Sequence, residues 1–175
     1  MYPTNQLSNQ PNSPRSQLSL HPATPTDIGL ILDFSRQLNE EDPTFTGDFH
    51  FDEAAVQAAL AQLLVEPGLG RVWLISVGSA TVGYVVLTFG FSLESHGRDA
   101  LIDEIYITTD YRGRGIGRQV IRQVEAEAHR LGAHKLFLEV ERPNRRAQAF
   151  YRRLGFIDHD RYLMSKLLPR QSTYD

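Results

Sequence analysis

Cysteine is absent from the 175-residue chain. Its absence excludes disulfides, thiolate nucleophiles and cysteine-held metals, and it suits a reducing compartment, so the expected location is cytoplasmic. Lysine is nearly absent: Lys135 and Lys166 are the only two, and all other basic residues are arginine. Arginine favours bidentate contacts with anions, but a biased genomic base composition accounts for the preference as readily. No large charge excess of one sign exists. A net charge of -3 provides no basic field for nucleic acid, and no nucleic-acid partner is expected. No apolar run reaches bilayer length, so no membrane partner is expected. The polar start of the chain lacks the apolar core of a secretory signal. The histidines show no metal-ligand spacing, which predicts no metal.

Hydrophobic residues make up 41% and charged residues 22% of the chain, ordinary values for a globular protein. Residues 1–17, rich in Asn, Gln, Ser and Pro, read as a disordered tail. The folded part is expected over 18–168 as one domain, with 169–175 a short C-terminal tail. Leu18 to Ala23 reads as a short strand. Thr26 or Asp27 can cap a helix carrying Ile28, Ile31, Leu32, Ser35 and Leu38 on one side. Pro43 to Phe51 reads as a loop whose Phe45, Phe49 and Phe51 either pack locally or cover an acceptor pocket. Asp52 is a candidate cap for a helix from Glu53 to Val65 striped by Val56, Leu60, Leu63 and Leu64.

Val72 to Val77 and Val82 to Phe89 form a predicted hairpin around Gly78-Ser79. Gly90 to Asp99 reads as a polar loop in which Glu94, His96, Arg98 and Asp99 either meet solvent or line an acceptor site. Ala100 to Thr108 is the next predicted strand. A long helix follows from about Gly115 to Leu131, with Gly132 suited to its left-handed terminus. Leu136 to Glu141 reads as a strand, Asn144 as the cap of a short helix closed by Gly155, and Phe156 to Leu168 as one or two final strands. Hairpins mixed with strand–helix–strand crossovers predict an α/β fold, a mixed sheet with helices on both faces.

The run Arg112-Gly113-Arg114-Gly115-Ile116-Gly117-Arg118 lies between a strand and a helix. Glycines let backbone N–H groups approach a ligand closely. Consecutive N–H groups at a helix start make an anion site, and a pyrophosphate suits it. A phosphate-binding P-loop would need a Gly-Lys-Ser/Thr ending, and the dinucleotide fingerprint a glycine where Arg118 stands. Both readings lose ground.

Strand, Arg-x-x-Gly-x-Gly, helix resembles the signature of the GCN5-related N-acetyltransferases, the GNAT superfamily. Leu138-Glu139-Val140, Asn144, Ala147, Phe150-Tyr151 and Gly155-Phe156 are similar to that superfamily's later half. The resemblance implies a mixed, mostly antiparallel sheet of about six to seven strands with about four helices. It implies acetyl-CoA as acyl donor, with its arm along the main chain of Ile105, Tyr106 and Ile107 and its pyrophosphate on the N–H groups from Gly113 to Arg118. By the same resemblance Asn144 bonds the cofactor arm and Tyr151 protonates the departing thiolate; a plain helix cap and core packing are their structural alternatives. The superfamily's frequent dimers imply a possible homodimer.

Asp103-Glu104 stands inside a strand expected to be central, where an unpaired charge costs several kcal/mol. Alternation predicts that the two carboxylates point to opposite faces. One of them can accept the proton of an incoming ammonium group; an ion pair with an arginine is the structural alternative. Diamine-acetylating members carry an acidic pair here in the reverse order, which leaves open which residue is the base. The reading is transfer of acetyl from acetyl-CoA to a primary amine, a small cationic one, by direct attack in a ternary complex. A CoA-binding module without catalysis and transfer of a longer acyl group are the alternatives.

Overall fold

The computed structural model describes residues 17–41 and 51–168. The expectations for 1–16, for Phe45 and Phe49, and for 169–175 fall outside the described residues. The described residues form two compact units, which divide after Glu141.

The first unit is built on a five-stranded sheet in the order β1-β2-β3-β4-β5. Its strands are β1 (Leu18–Pro22), β2 (Gly70–Val77), β3 (Ala80–Ser92), β4 (Gly97–Ile107) and β5 (Lys135–Leu138). The first four pair antiparallel, and β5 joins β4 in parallel. Tight connections explain the antiparallel part. Gly78, at φ 63°, turns β2 into β3. The predicted loop from Gly90 to Asp99 is mostly strand: pairing runs from Gly90↔Asp99 out to Ser92↔Gly97, so Arg98 and Asp99 belong to β4 and only Leu93 to His96 make the turn. Main-chain pairing overrode the polar composition that suggested a loop.

Two helices cover one face. Helix α1 (Ile28–Glu41) follows a short 3-10 turn in which Thr24, rather than Thr26 or Asp27, takes the capping place. The Thr24 hydroxyl and main-chain N–H both donate to Asp27 Oδ2, at 2.7 and 2.8 Å. Helix α2 (Glu53–Val65) starts as predicted, with Asp52 Oδ1 accepting from the Ala55 N–H. Ile31, Leu32 and Phe34 of α1 and Leu60 of α2 pack with Val72, Leu74, Tyr84, Val86 and Tyr106 of the sheet. Strand alternation turns Ile75, Val85 and Leu87 the other way, and they too are buried. Helix α3 (Ile116–Arg130) contributes buried Ile116, Val120, Ile121, Val124 and Ala128, and Gly132 ends it at φ 84°. Each such aliphatic side chain removed from water contributes about 1.5–3 kcal/mol.

The second unit holds α4 (Arg145–Arg152), capped by Asn144 Oδ1 accepting from the Ala147 N–H at 3.0 Å. Gly155, at φ 97°, closes it. Arg152 and Asp158 pair beyond that turn. The expected final strands are not there: residues 156–168 are irregular, and Ile157, Tyr162, Leu163, Met164, Leu167 and Leu168 are exposed. A strand exists by virtue of its partner's hydrogen bonds, and the polar run Asp158-His159-Asp160-Arg161 interrupts the alternation that would give one face to a core. The sheet therefore has five strands among the described residues, against the six to seven expected.

Two glycines give opposite expectations. A Cβ on Gly83 would lie 2.0 Å from the Tyr106 carbonyl oxygen, which is main chain and cannot swing aside. A Cβ on Gly29, exposed in α1, would meet nothing within 4 Å. Urea titration should show Gly83→Ala losing about 3 kcal/mol of stability and Gly29→Ala gaining up to about 1 kcal/mol. Equal midpoints for the two variants would contradict the β3–β4 spacing.

Candidate active site

The pairing of β4 changes at one residue. Leu87 faces Ile102 and Val86 faces Glu104, so Asp103 is an extra residue without a partner, a β-bulge. On the other edge of β4 the pairing with β5 ends at Ile102↔Leu138. From Asp103 to Ile107 that edge of β4 has no strand against it among the described residues. Ile105, Tyr106 and Ile107, expected to offer main chain to a ligand, lie on this open stretch. Tyr106 itself is buried, 3% exposed.

The bulge also decides where the acidic pair sits. Asp103, the extra residue, is exposed, whereas Glu104 stands opposite Val86 and is half-buried; both charges reach the Tyr84 phenol, and the Asp103 charge reaches Glu104. Glu104 is half-buried, and Tyr84, fully buried on β3, donates its hydroxyl to Glu104 Oε2 at 2.5 Å. Burial pushes the Glu104 carboxyl above its ordinary value, the Tyr84 hydrogen bond pulls it back, and the Asp103 charge adds to the rise. Asp103 is exposed as a residue, yet desolvation of its carboxyl raises it also. Neither carboxylate meets a cationic side chain among the described residues, where the ion pairs lie elsewhere.

Beyond β4, Thr109–Tyr111 form one 3-10 turn and the glycine run leads into α3. Gly113 (φ 75°) and Gly115 (φ 80°) both adopt left-handed backbone, which a side chain would strain, and the space beside each is open. Gly115 is the N-cap of α3 and has no side chain to satisfy the helix's first N–H groups. The Arg112 N–H reaches the Thr109 oxygen at 3.1 Å, and the Gln119 N–H reaches the Gly115 oxygen at 3.3 Å. Between them the N–H groups of Gly113, Arg114, Gly115, Ile116, Gly117 and Arg118 find no acceptor among the described residues. Six donors in sequence, with no Cβ in the way at three positions, fit the oxygens of a pyrophosphate.

The arginines divide. Arg114 and Arg118 are exposed; the Arg114 guanidinium lies 5.4 Å from the centre of the Tyr111 ring. Arg112 is committed elsewhere. Its Nε donates to the Ile107 oxygen at 2.6 Å, its Nη2 pairs with Glu41 Oε2 at 2.6 Å, and its guanidinium lies over the Tyr106 ring at 5.2 Å. Tyr106 in turn donates to Gln37 Oε1 at 3.0 Å and Glu41 Oε1 at 3.1 Å. The end of α1 is thus tied to the start of the glycine turn. Tyr84 and Glu41 were not singled out in the sequence. No sequence signal marked Tyr84, because its place opposite Tyr106 and two residues from Glu104 depends on the register beyond the bulge.

In the second unit Tyr151 meets Phe150 and Phe156 edge-on, with ring centres 5.0 and 5.6 Å away. Burial pushes its phenol up to about 12. Asn144 is a helix cap there, with its side-chain oxygen in use. No group of three His, Cys, Asp or Glu among the described residues could hold a metal. No helix among them is long and apolar enough to cross a membrane.

The arrangement has close relatives. Residues 34–156 match the Acetyltransferase (GNAT) family. Thialysine N-epsilon-acetyltransferase of Bos taurus is 31% identical over 143 residues, covering 75% of this chain and 79% of that protein. An integron cassette protein from the mobile metagenome of Cole Harbour Salt Marsh superposes with a TM-score of 0.72 at 29% identity, over 86% of this chain and 90% of that one. Aminoglycoside N-acetyltransferase AAC(6')-Iy, solved in complex with CoA, shares the fold alone, with a TM-score of 0.71 at 14% identity over 90% and 98% of the two chains. With the glycine turn, the open β4 edge and the mixed sheet all in place, the chain belongs to the GNAT acetyltransferase family and is an acyl-CoA-dependent N-acyltransferase.

Proposed function

We propose that the enzyme acetylates a primary amine of a small cationic substrate, with acetyl-CoA as donor, by direct attack. The observation that carries this reading is the acidic pair Asp103-Glu104, which meets no cationic side chain among the described residues and is set at the bulge where β4 loses its neighbour. Two carboxylates without a cationic partner attract an ammonium group. The relatives that act on thialysine, a small cationic amine by name, support the class.

The donor, when bound, supplies an activated acyl carbon. Gly113 to Arg118 would hold its pyrophosphate, with Ile105, Tyr106 and Ile107 pairing its arm and Asn144 bonding it. Arg112 contributes its main chain and holds the turn against α1. Glu104 takes a proton from the incoming ammonium, which frees the nitrogen lone pair to form the new C–N bond. As the C–S bond breaks, Tyr151 donates its proton to the departing sulfur. The second proton shed by the nitrogen replaces it on the phenol by way of solvent, so that ammonium and thioester give amide, thiol and the one proton taken by Glu104. A phenol pushed up to about 12 stays protonated over the working range, so its proton is present when the thiolate leaves. The absence of cysteine leaves no thiol for an acyl-enzyme, which favours the ternary complex.

Three measurements test this. In calorimetry, Gly115→Glu should weaken CoA binding by about 100-fold or more, because it sets a carboxylate among the free N–H groups; near-normal affinity would remove the pyrophosphate assignment. In a thiol-release assay of acetyl-CoA against amines including thialysine, Glu104→Gln should lower kcat/KM by about 100-fold. The wild-type profile should fall on the acid side as Glu104, raised above the ordinary carboxylate value, takes up a proton and ceases to be a base; the variant should lack that limb. Tyr151→Phe should lower kcat about 100-fold and leave the acid limb where it is, and undiminished kcat would remove the acid role.

A further inference from the structure

The Tyr84–Glu104 bond is a feature that neither the family nor the proposed chemistry assigns. Tyr84 is fully buried, stacked on Phe34 with ring centres 6.2 Å apart and planes inclined by 7°. Its ring packs against α1 through Phe34, and its hydroxyl points to a carboxylate. The acceptor is Glu104 Oε2, at 2.5 Å. A carboxylate offers two oxygens and about four lone-pair sites. With one oxygen held, the carboxyl plane is fixed and the second oxygen is left to a proton donor.

We propose that Tyr84 is a positioning residue for acyl transfer: its buried hydroxyl anchors one oxygen of Glu104 at the bulge and leaves the other oxygen for the ammonium group of the acceptor. The proposal rests on Glu104 as the base. It joins two facts otherwise unrelated, a phenol with a single strong acceptor and a carboxylate without a cation. Desolvation favours the neutral acid, and the neighbouring Asp103 charge favours it too. A hydrogen bond donated to the carboxylate opposes both. Without it the proton affinity of the carboxyl would rise further.

The surrounding groups do not duplicate this role. From β4 itself Asp103 adds only negative charge. From α1, the buried Ser35 hydroxyl faces the phenol and draws its proton affinity down, and it does not reach Glu104 by a hydrogen bond among the described residues. Also from α1, Gln37 and Glu41 are engaged by the Tyr106 hydroxyl, and Arg112 by Glu41. From β2 and α2, the side chains packed in this cluster are apolar: Val72, Leu74 and Leu60.

The test uses the full-length enzyme with its glutamates labelled with carbon-13 at the side-chain carboxyl, the Glu104 signal being the one lost in Glu104→Gln. In Tyr84→Phe the Glu104 titration midpoint should move to higher pH, and the acid limb of thialysine turnover should move with it, with kcat/KM near neutrality about tenfold lower. In Glu104→Gln the same tyrosine change should cost nothing further. If Tyr84→Phe lowers the dispersion of the amide spectrum, 3-fluorotyrosine placed at position 84 keeps the ring and acidifies the phenol, and the midpoint should then move to lower pH. A midpoint that stays in place in these variants overturns the role of Tyr84 alone. Wild-type turnover in Glu104→Gln overturns the base, and the positioning role with it.

Discussion

One additional residue in β4 is the constraint on which the site depends. β3 and β4 pair in register from Gly83↔Ile107 to Val86↔Glu104, and again from Leu87↔Ile102 onward. The residue between, Asp103, has no opposite number. Without it the strict alternation of a strand would place one carboxylate in the core and its neighbour on the far face. With it Glu104 stands opposite Val86 and accepts the Tyr84 hydroxyl. β5 stops at Leu138 opposite Ile102, one residue before the bulge. The place where the sheet loses its regularity is also where its edge opens.

A second constraint acts at right angles to the first. Helix α1 ends at Glu41, and that carboxylate accepts from Tyr106, accepts from Thr109 and pairs with Arg112. Arg112 then closes on the Ile107 oxygen, the last carbonyl of β4. These partners are half-exposed, and an isolated pair of this kind contributes little by charge alone. Its effect is geometric. The helix covering the acidic pair and the turn bearing the free N–H groups share one fastening, which sets the two halves of the first unit's site in a fixed relation.

Much of this was legible in the sequence, for reasons that particular residues make plain. Asp52, Asn144, Gly132 and Gly155 mark helix ends by local chemistry that needs no tertiary context, and all four stand where expected. The stripes of α1, α2 and α3 follow from the helical period. The glycine run could be read as an anion site because its donors are main chain. The bulge was not legible, because it arises from the register of two strands and no side chain announces it. The role of Arg112 was obscured by its neighbours: three arginines in a glycine turn look alike, and only the fold brings Glu41 to one of them. The strands expected in 156–168 failed for the opposite reason, since a stretch of mixed composition becomes a strand only when another strand accepts it.

The start of α3 has a cost that shows in the stability of the whole chain. A helix that begins on glycine, with its first donors unpaired, gives up about 0.3 kcal/mol relative to a serine or aspartate cap. Any anion that pairs those donors binds the folded chain and not the unfolded one. At a hundredfold excess over its Kd, such a ligand stabilises the fold by about 2.7 kcal/mol. The melting temperature of the enzyme therefore follows the concentration of whatever occupies the turn, which makes the protein a thermometer for the supply of its own donor.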